Sequence, residues 1–158
     1  MIYRWVVAIF FVLSVIYSIK SNIDLGAIDV YFIYWTHLNL WGTMVTMTLG
    51  AVLVTKYFFS QDKIGIIMPR SLRFFWAMWN QSIVFACLIS GSYWILLHKT
   101  SINMDIIFTH AFNVIVPVVD LFVIAHPPRY SQFFYVTFVG VSYGVFTIVY
   151  QFSGGLDK

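Results

Sequence analysis

The sequence predicts an all-α fold, a polytopic transmembrane helix bundle with five spans. Three observations carry that expectation. Of 158 residues, 61% are hydrophobic and 9% charged. A soluble globular domain carries roughly 25% charged residues, so this chain cannot clothe a water-facing surface. The apolar residues gather into runs long enough to cross a hydrocarbon core as helix, which takes roughly 20 residues and at least about 17. The charges fall mostly between those runs, as in a chain threaded through lipid. A soluble enzyme, a disordered tail and a nucleic-acid binder with a basic face are thereby excluded. Cys87 is the single cysteine, so no internal disulfide forms. The expected organisation is one transmembrane domain over residues 1–158, with the lipid bilayer as its surroundings.

The first span covers about residues 3–19 and holds only Arg4 as a charge. Arg4 ahead of an apolar stretch also suits a signal peptide, but no convincing small-residue cleavage site follows and four more spans come after. The second span runs from about residue 30 to 54, with His37 its one ionisable group besides tyrosine. The third, 74–97, and the fifth, 133–152, carry no formal charge, whereas the fourth, 102–125, contains Asp105, His110 and Asp120. These runs are too long for strands and lack strict alternation, and lipid leaves helices as the remaining choice. Pro127 and Pro128 should stop the fourth helix. His98 and His126 read as boundary residues, and Cys87 as an inert, buried thiol. The side bearing the N-terminus holds Arg4, Lys56, Lys63, Arg70, Arg73 and Arg129, against Lys20, Lys99 and Lys158 opposite. This asymmetry favours a cytoplasmic N-terminus.

Polar groups are costly in lipid and turn toward the bundle interior. Thr36, Asn39, Thr43, Thr46 and Gly50 make one stripe on the second span, and His110, Asn113, Pro117 and Asp120 one on the fourth. Thr137, Gly140, Gly144, Thr147 and Gln151 repeat the rhythm on the fifth. Such seams should face one another, and the small and hydroxyl members serve close packing first. Asp120 is expected to pair with Arg70, Arg73 or Arg129, or to accept from Asn80. The second and fourth spans run in the same direction, so Thr36, His37, Asp105 and His110 should share a layer near the outer surface. A hydroxyl nucleophile, an imidazole base and an orienting carboxylate are the parts of acyl transfer. The pair His37 and His110 could alternatively hold a haem or a metal, but two isolated histidines are a thin ligand set. No cofactor and no metal are expected. Transport lacks its usual paired, Gly/Pro-broken helices.

At these residues the chain resembles the rolling stone family of multi-pass membrane proteins. The matching pieces are Ile2-Tyr3-Arg4, Tyr34-Trp35-Thr36, His110-Ala111-Phe112-Asn113 with Asp120, Pro128-Arg129, and Val149 through Gly155. The resemblance covers nearly the whole chain and implies a plasma-membrane protein associated with myoblast fusion. More distantly, the pattern is similar to the androgen-induced and androgen-dependent membrane hydrolases, which cleave fatty acid esters of hydroxy fatty acids with an intramembrane threonine and histidine. Thr36 matches the threonine position. The hydrolases' His-x-x-His stretch reads His110-x-x-Asn113 here. Its second histidine is the catalytic one, so the matching residue is an asparagine, which is no general base. His110, one turn away, is then the base that remains. A lipid ester is the substrate this similarity implies, and the sequence names no protein partner. Members of both families carry a sixth span, so a shortened form is expected.

Overall fold

The computed structural model describes residues 1–60, 69–97, 102–123 and 131–155. The links holding Lys63, His98, Lys99, His126, Pro127, Pro128 and Arg129, and the tail with Asp157 and Lys158, lie outside the described residues, and so do the expectations placed on them. No strand occurs among the described residues. Among the described residues, five helices are long and apolar enough to cross a membrane.

Helix α1, Ile2–Asp24, outruns the apolar stretch that predicted it, because Lys20 to Asp24 continue the helix. It ends where Gly26 adopts φ +67°, with Gly26 N donating to Ile23 O and Ala27 N to Asn22 O. A left-handed residue of this kind closes a helix end at no steric cost only when it is glycine. The residues from Ile28 to Ile33 form a 3-10 turn, not the opening of the second span. Helix α2, Trp35–Ser60, follows. Helix α3 spans Arg70–Ser92 and passes into a π-helical turn, Tyr93–Leu97.

Helix α4, Met104–Val123, opens with an Asn103 cap whose side chain accepts from Ile106 N at 2.8 Å. It is π-helical over Ile107–Phe112 and α-helical over Asn113–Val123, where Pro117 lies inside the helix. Helix α5 is Ser131–Phe152. The chain divides into two compact units, Met1–His126 and Pro127–Lys158.

In the first unit the core is built from Val7, Phe11 and Val15 of α1, Leu40, Met47 and Leu53 of α2, and Phe75, Trp79 and Ile83 of α3. The outward faces carry large apolar groups such as Ile2, Val6, Ile9, Leu13 and Ile16 along α1, each more than half exposed. Water would not tolerate so long an apolar stripe, whereas acyl chains match it. Association in lipid then depends on close packing and interhelical hydrogen bonds. Thr43 and Thr46, both fully buried, supply these conditions on α2. Thr46 shares a 3.1 Å hydrogen bond with Ser82 of α3, while Thr43 Oγ1 returns to Asn39 O. Cys87 corrects its expectation: it is exposed, because Ile83, Ala86 and Ser90 carry the inward face of α3 and Cys87 lies to its side.

In the second unit, α5 is a single helix that closes at Gly154, φ +75°, with Gly155 N donating to Tyr150 O. Thr147 Oγ1 donates to Gly144 O at 2.8 Å, so this member of the expected seam is satisfied within its own helix.

Candidate functional site

The shared direction of α2 and α4 places their first turns in one layer. A cavity of about 570 Å³ opens between them and the end of α3. Thr36, His37, Asp105 and His110 all line it, together with Trp35, Phe85, Tyr93 and Thr109. Leu88, 60% exposed, also lines it, so the cavity reaches the lipid-facing surface of the bundle. An apolar wall with a few convergent polar groups is the usual character of a small-molecule site.

Each histidine is fixed by a tyrosine. The His37 ring stacks on Tyr31 with centroids 4.0 Å apart, and its Nδ1 lies 3.0 Å from Tyr31 O. That hydrogen bond exists because the 3-10 turn ahead of α2 folds Tyr31 back, fully buried, against the helix start. His110 stacks on Tyr93 with centroids 3.7 Å apart and planes 13° from parallel. Both residues of this second pair sit in π-helical turns, which rotate side chains relative to an α-helix and recur at functional sites. Thr109 Oγ1 donates to Asp105 O at 2.7 Å, tying the two cavity-facing turns of α4 together.

His110 Nδ1 and Asp105 Oδ1 are buried and have no hydrogen-bond partner among the described residues. Unpartnered buried polar atoms are rare in folded proteins and call for an explanation. No hydrogen bond joins Thr36 to His110 among the described residues, so the two are separate members of one cavity wall. Catalytic hydrogen bonds often tighten only once a substrate is present. Asn113 is fully buried, and neither its Nδ2 nor its Oδ1 finds a partner among the described residues. It lies on α4 one turn deeper than His110. Among the described residues no group of three or more His, Cys, Asp or Glu is arranged to hold a metal ion.

The partner of Asp120 is a correction. It is neither Arg70, Arg73 nor Asn80, whose Nδ2 donates to Trp76 O. Arg4 Nη1 reaches Asp120 Oδ2 at 3.0 Å, Trp79 Nε1 donates to the same oxygen at 2.9 Å, and Tyr3 OH donates to Oδ1 at 3.1 Å. The carboxylate is fully buried and joins α1, α3 and α4 near the end opposite the cavity. Arg4 is held in place from the other side as well, over the Phe75 ring at 5.8 Å. From sequence Arg4 is only the lone charge of the first span and one of the cations that set the orientation, yet it is 7% exposed. Its pairing depends on which helices are neighbours, and no local pattern reports that.

Tyr31, Tyr93 and Thr109 were not singled out from sequence. Tyr93 was accessible to the same depth argument that found His110, since it stands near the outer end of the third span.

Comparison with known proteins assigns the family. The family description for protein rolling stone matches residues 1–158. Protein rolling stone of Drosophila melanogaster is 28% identical over 172 aligned residues, which cover 100% of this chain and 62% of that protein. The chain thus spans less than two thirds of the length of this curated relative. No solved structure matches it. With a family match over its whole length and five helices fit to cross a membrane, this chain belongs to the rolling stone family of multi-pass membrane proteins.

Proposed function

We propose that the chain acts in the plasma membrane, with its N-terminus cytoplasmic, in membrane organisation and cell fusion of the myoblast type. The family match over residues 1–158 is the observation that supports this reading. The placement of Lys and Arg supports the orientation. The test is a content-mixing assay on cultured myoblasts in which the endogenous relative has been depleted. Re-expression of this chain restores mixing if the reading is right. Normal surface expression without any rescue would refute it.

The cavity favours a second reading, an intramembrane hydrolase of lipid esters such as fatty acid esters of hydroxy fatty acids. Thr36 would be the nucleophile and His110 the base, with His37 and Asp105 as supporting polar groups and Asn113 beneath them. Thr36 and His110 line one apolar cavity that reaches the lipid-facing surface, which suits an acyl ester arriving from within the membrane. In the first half-reaction the Thr36 oxygen bonds to the ester carbonyl carbon, His110 takes the hydroxyl proton, and that proton leaves on the departing alcohol. Water then cleaves the acyl-threonine. Covalent labelling by a fluorophosphonate probe, abolished in Thr36→Ala and in His110→Ala, is the expected result. Absence of labelling in membranes where a related hydrolase labels would exclude this chemistry.

A further inference from the structure

We infer that His37 is a second catalytic base of the cavity, activating the water that releases the fatty acid from acylated Thr36. The two histidines then divide the two half-reactions. This rests on the hydrolase reading and supplies the base that its second step lacks. The assignment follows from what each imidazole nitrogen meets. His37 Nδ1 lies 3.0 Å from Tyr31 O. A carbonyl only accepts, so Nδ1 carries the ring hydrogen and Nε2 keeps its lone pair. The ring is held in that orientation by the Tyr31 stack at 4.0 Å and by Tyr34, nearly perpendicular to it at 6.1 Å. His37 lines the cavity, and Nε2 is not among its buried atoms without a partner, so Nε2 is the nitrogen left to face that space. A carbonyl on Nδ1–H is a common way of fixing an imidazole whose other nitrogen does the work. His110 is prepared differently. Its Nδ1 is buried and finds no partner among the described residues, so the Tyr93 stack orients the ring while no hydrogen bond there sets its tautomer.

Helix geometry divides the work between them. Thr36 and His37 are neighbours on α2 and project about 100° apart. His37 therefore does not meet the Thr36 hydroxyl head-on, whereas His110 approaches from α4, across the cavity. A water held by His37 Nε2 stands to one side of Thr36 Oγ, on the flank of an acyl group attached there. A volume of about 570 Å³ leaves room for that water beside the acyl carbon. Asp105 lines the same wall with an unpartnered, buried Oδ1, and its negative charge favours the imidazolium that forms. In the step itself the water oxygen bonds to the acyl carbon as one of its protons passes to His37 Nε2. The bond from that carbon to Thr36 Oγ then breaks. Oγ recovers a proton from His37 through a second water, and the fatty acid departs with the remaining one.

The test uses the full chain in membranes, with p-nitrophenyl palmitate as the ester, a fluorophosphonate probe, and intact-mass detection of acylated protein. Asparagine puts its amide nitrogen where Nδ1 stands, so H37N keeps a donor for Tyr31 O and removes Nε2. H37N should keep the first-turnover burst of nitrophenol and the probe labelling of Thr36. Its steady-state turnover should fall roughly 100-fold or more, the usual worth of a positioned base, with acyl-threonine accumulating. H110A should instead lose burst and labelling together. Should H37N fail to fold, H37A with imidazole added to the medium replaces it, and recovery of turnover is the expected result. Wild-type turnover in H37N overturns the inference, because His37 is then only the anchor of the 3-10 turn. Loss of burst and labelling in folded H37N also overturns it, since His37 then serves acylation. No recovery of H37A by imidazole counts the same way. A wild-type chain that neither labels nor turns over ends the hydrolase reading itself, and this inference with it.

Discussion

Replacing Asp120 by alanine leaves the Arg4 guanidinium without its anion inside the bundle, where its side chain is 9% exposed. Breaking a buried ion pair from one side costs about 3–5 kcal/mol, because the surviving charge stays desolvated. Two more donors lose their acceptor at the same time, Tyr3 OH and Trp79 Nε1. Trp79 is 2% exposed, so the bond it loses to Asp120 is a buried one and adds to the cost. Removing both charges in Arg4→Met/Asp120→Leu is a different perturbation. Neither ion then remains to be solvated, and apolar replacement of a buried pair is often neutral or better. The double variant should therefore be more stable than Asp120→Ala by about 2 kcal/mol or more. The assay is reversible unfolding in mixed micelles titrated with a denaturing detergent, carried through the full cycle of Arg4→Met, Asp120→Leu and their double variant. Additivity of the single and double substitutions within about 0.5 kcal/mol would show no coupling and refute the reasoning.

Other substitutions separate packing from chemistry by the same unfolding assay or by labelling. A Cβ at Gly50 would stand 2.9 Å from the Phe75 ring. Gly50→Ala should therefore destabilise by about 1–3 kcal/mol through overpacking, whereas Gly91→Ala, with nothing within 4 Å of the added carbon, should be neutral or stabilising. Ser82→Ala removes the hydrogen bond to Thr46 and should cost about 0.6 kcal/mol, the usual worth of such a bond in a membrane protein. Tyr93→Leu frees one face of the His110 ring. Under the hydrolase reading, fluorophosphonate labelling of Thr36 should fall roughly threefold to tenfold, in line with about 0.5–1.5 kcal/mol for an aromatic pair. Unchanged labelling would mean that Tyr93 does not position His110.

The helical membrane fold was legible in the sequence because composition and run length leave lipid-spanning helices as the one arrangement that satisfies the backbone. The seam of α2 was legible too: Asn39, Thr43, Thr46 and Gly50 are all buried, as their three-four spacing implies. The layer holding Thr36, His37, Asp105 and His110 followed from parallel direction and equal depth, and these residues do line one cavity. What stayed hidden depends on hydrogen-bond register or on distant neighbours. A 3-10 turn at Ile28–Ile33 and π turns at Tyr93–Leu97 and Ile107–Phe112 are as apolar as the α-helices beside them, so periodicity does not separate them. Asp120 finds Arg4 at a sequence separation of 116, beyond any local pattern of charge. Cys87 looked central by its depth along α3, but depth does not report which way a helix face points.

Helices α2 and α4 turn Thr36 and His110 into one cavity. Short bifunctional thiol cross-linking in native membranes probes this arrangement on Thr36→Cys/His110→Cys in a Cys87→Ser background. Rapid cross-linking of this pair is expected, with none for the outward-facing control Leu38→Cys/Phe122→Cys, whose positions are both exposed. Cross-linking of the control pair and none of Thr36→Cys/His110→Cys would contradict the claim.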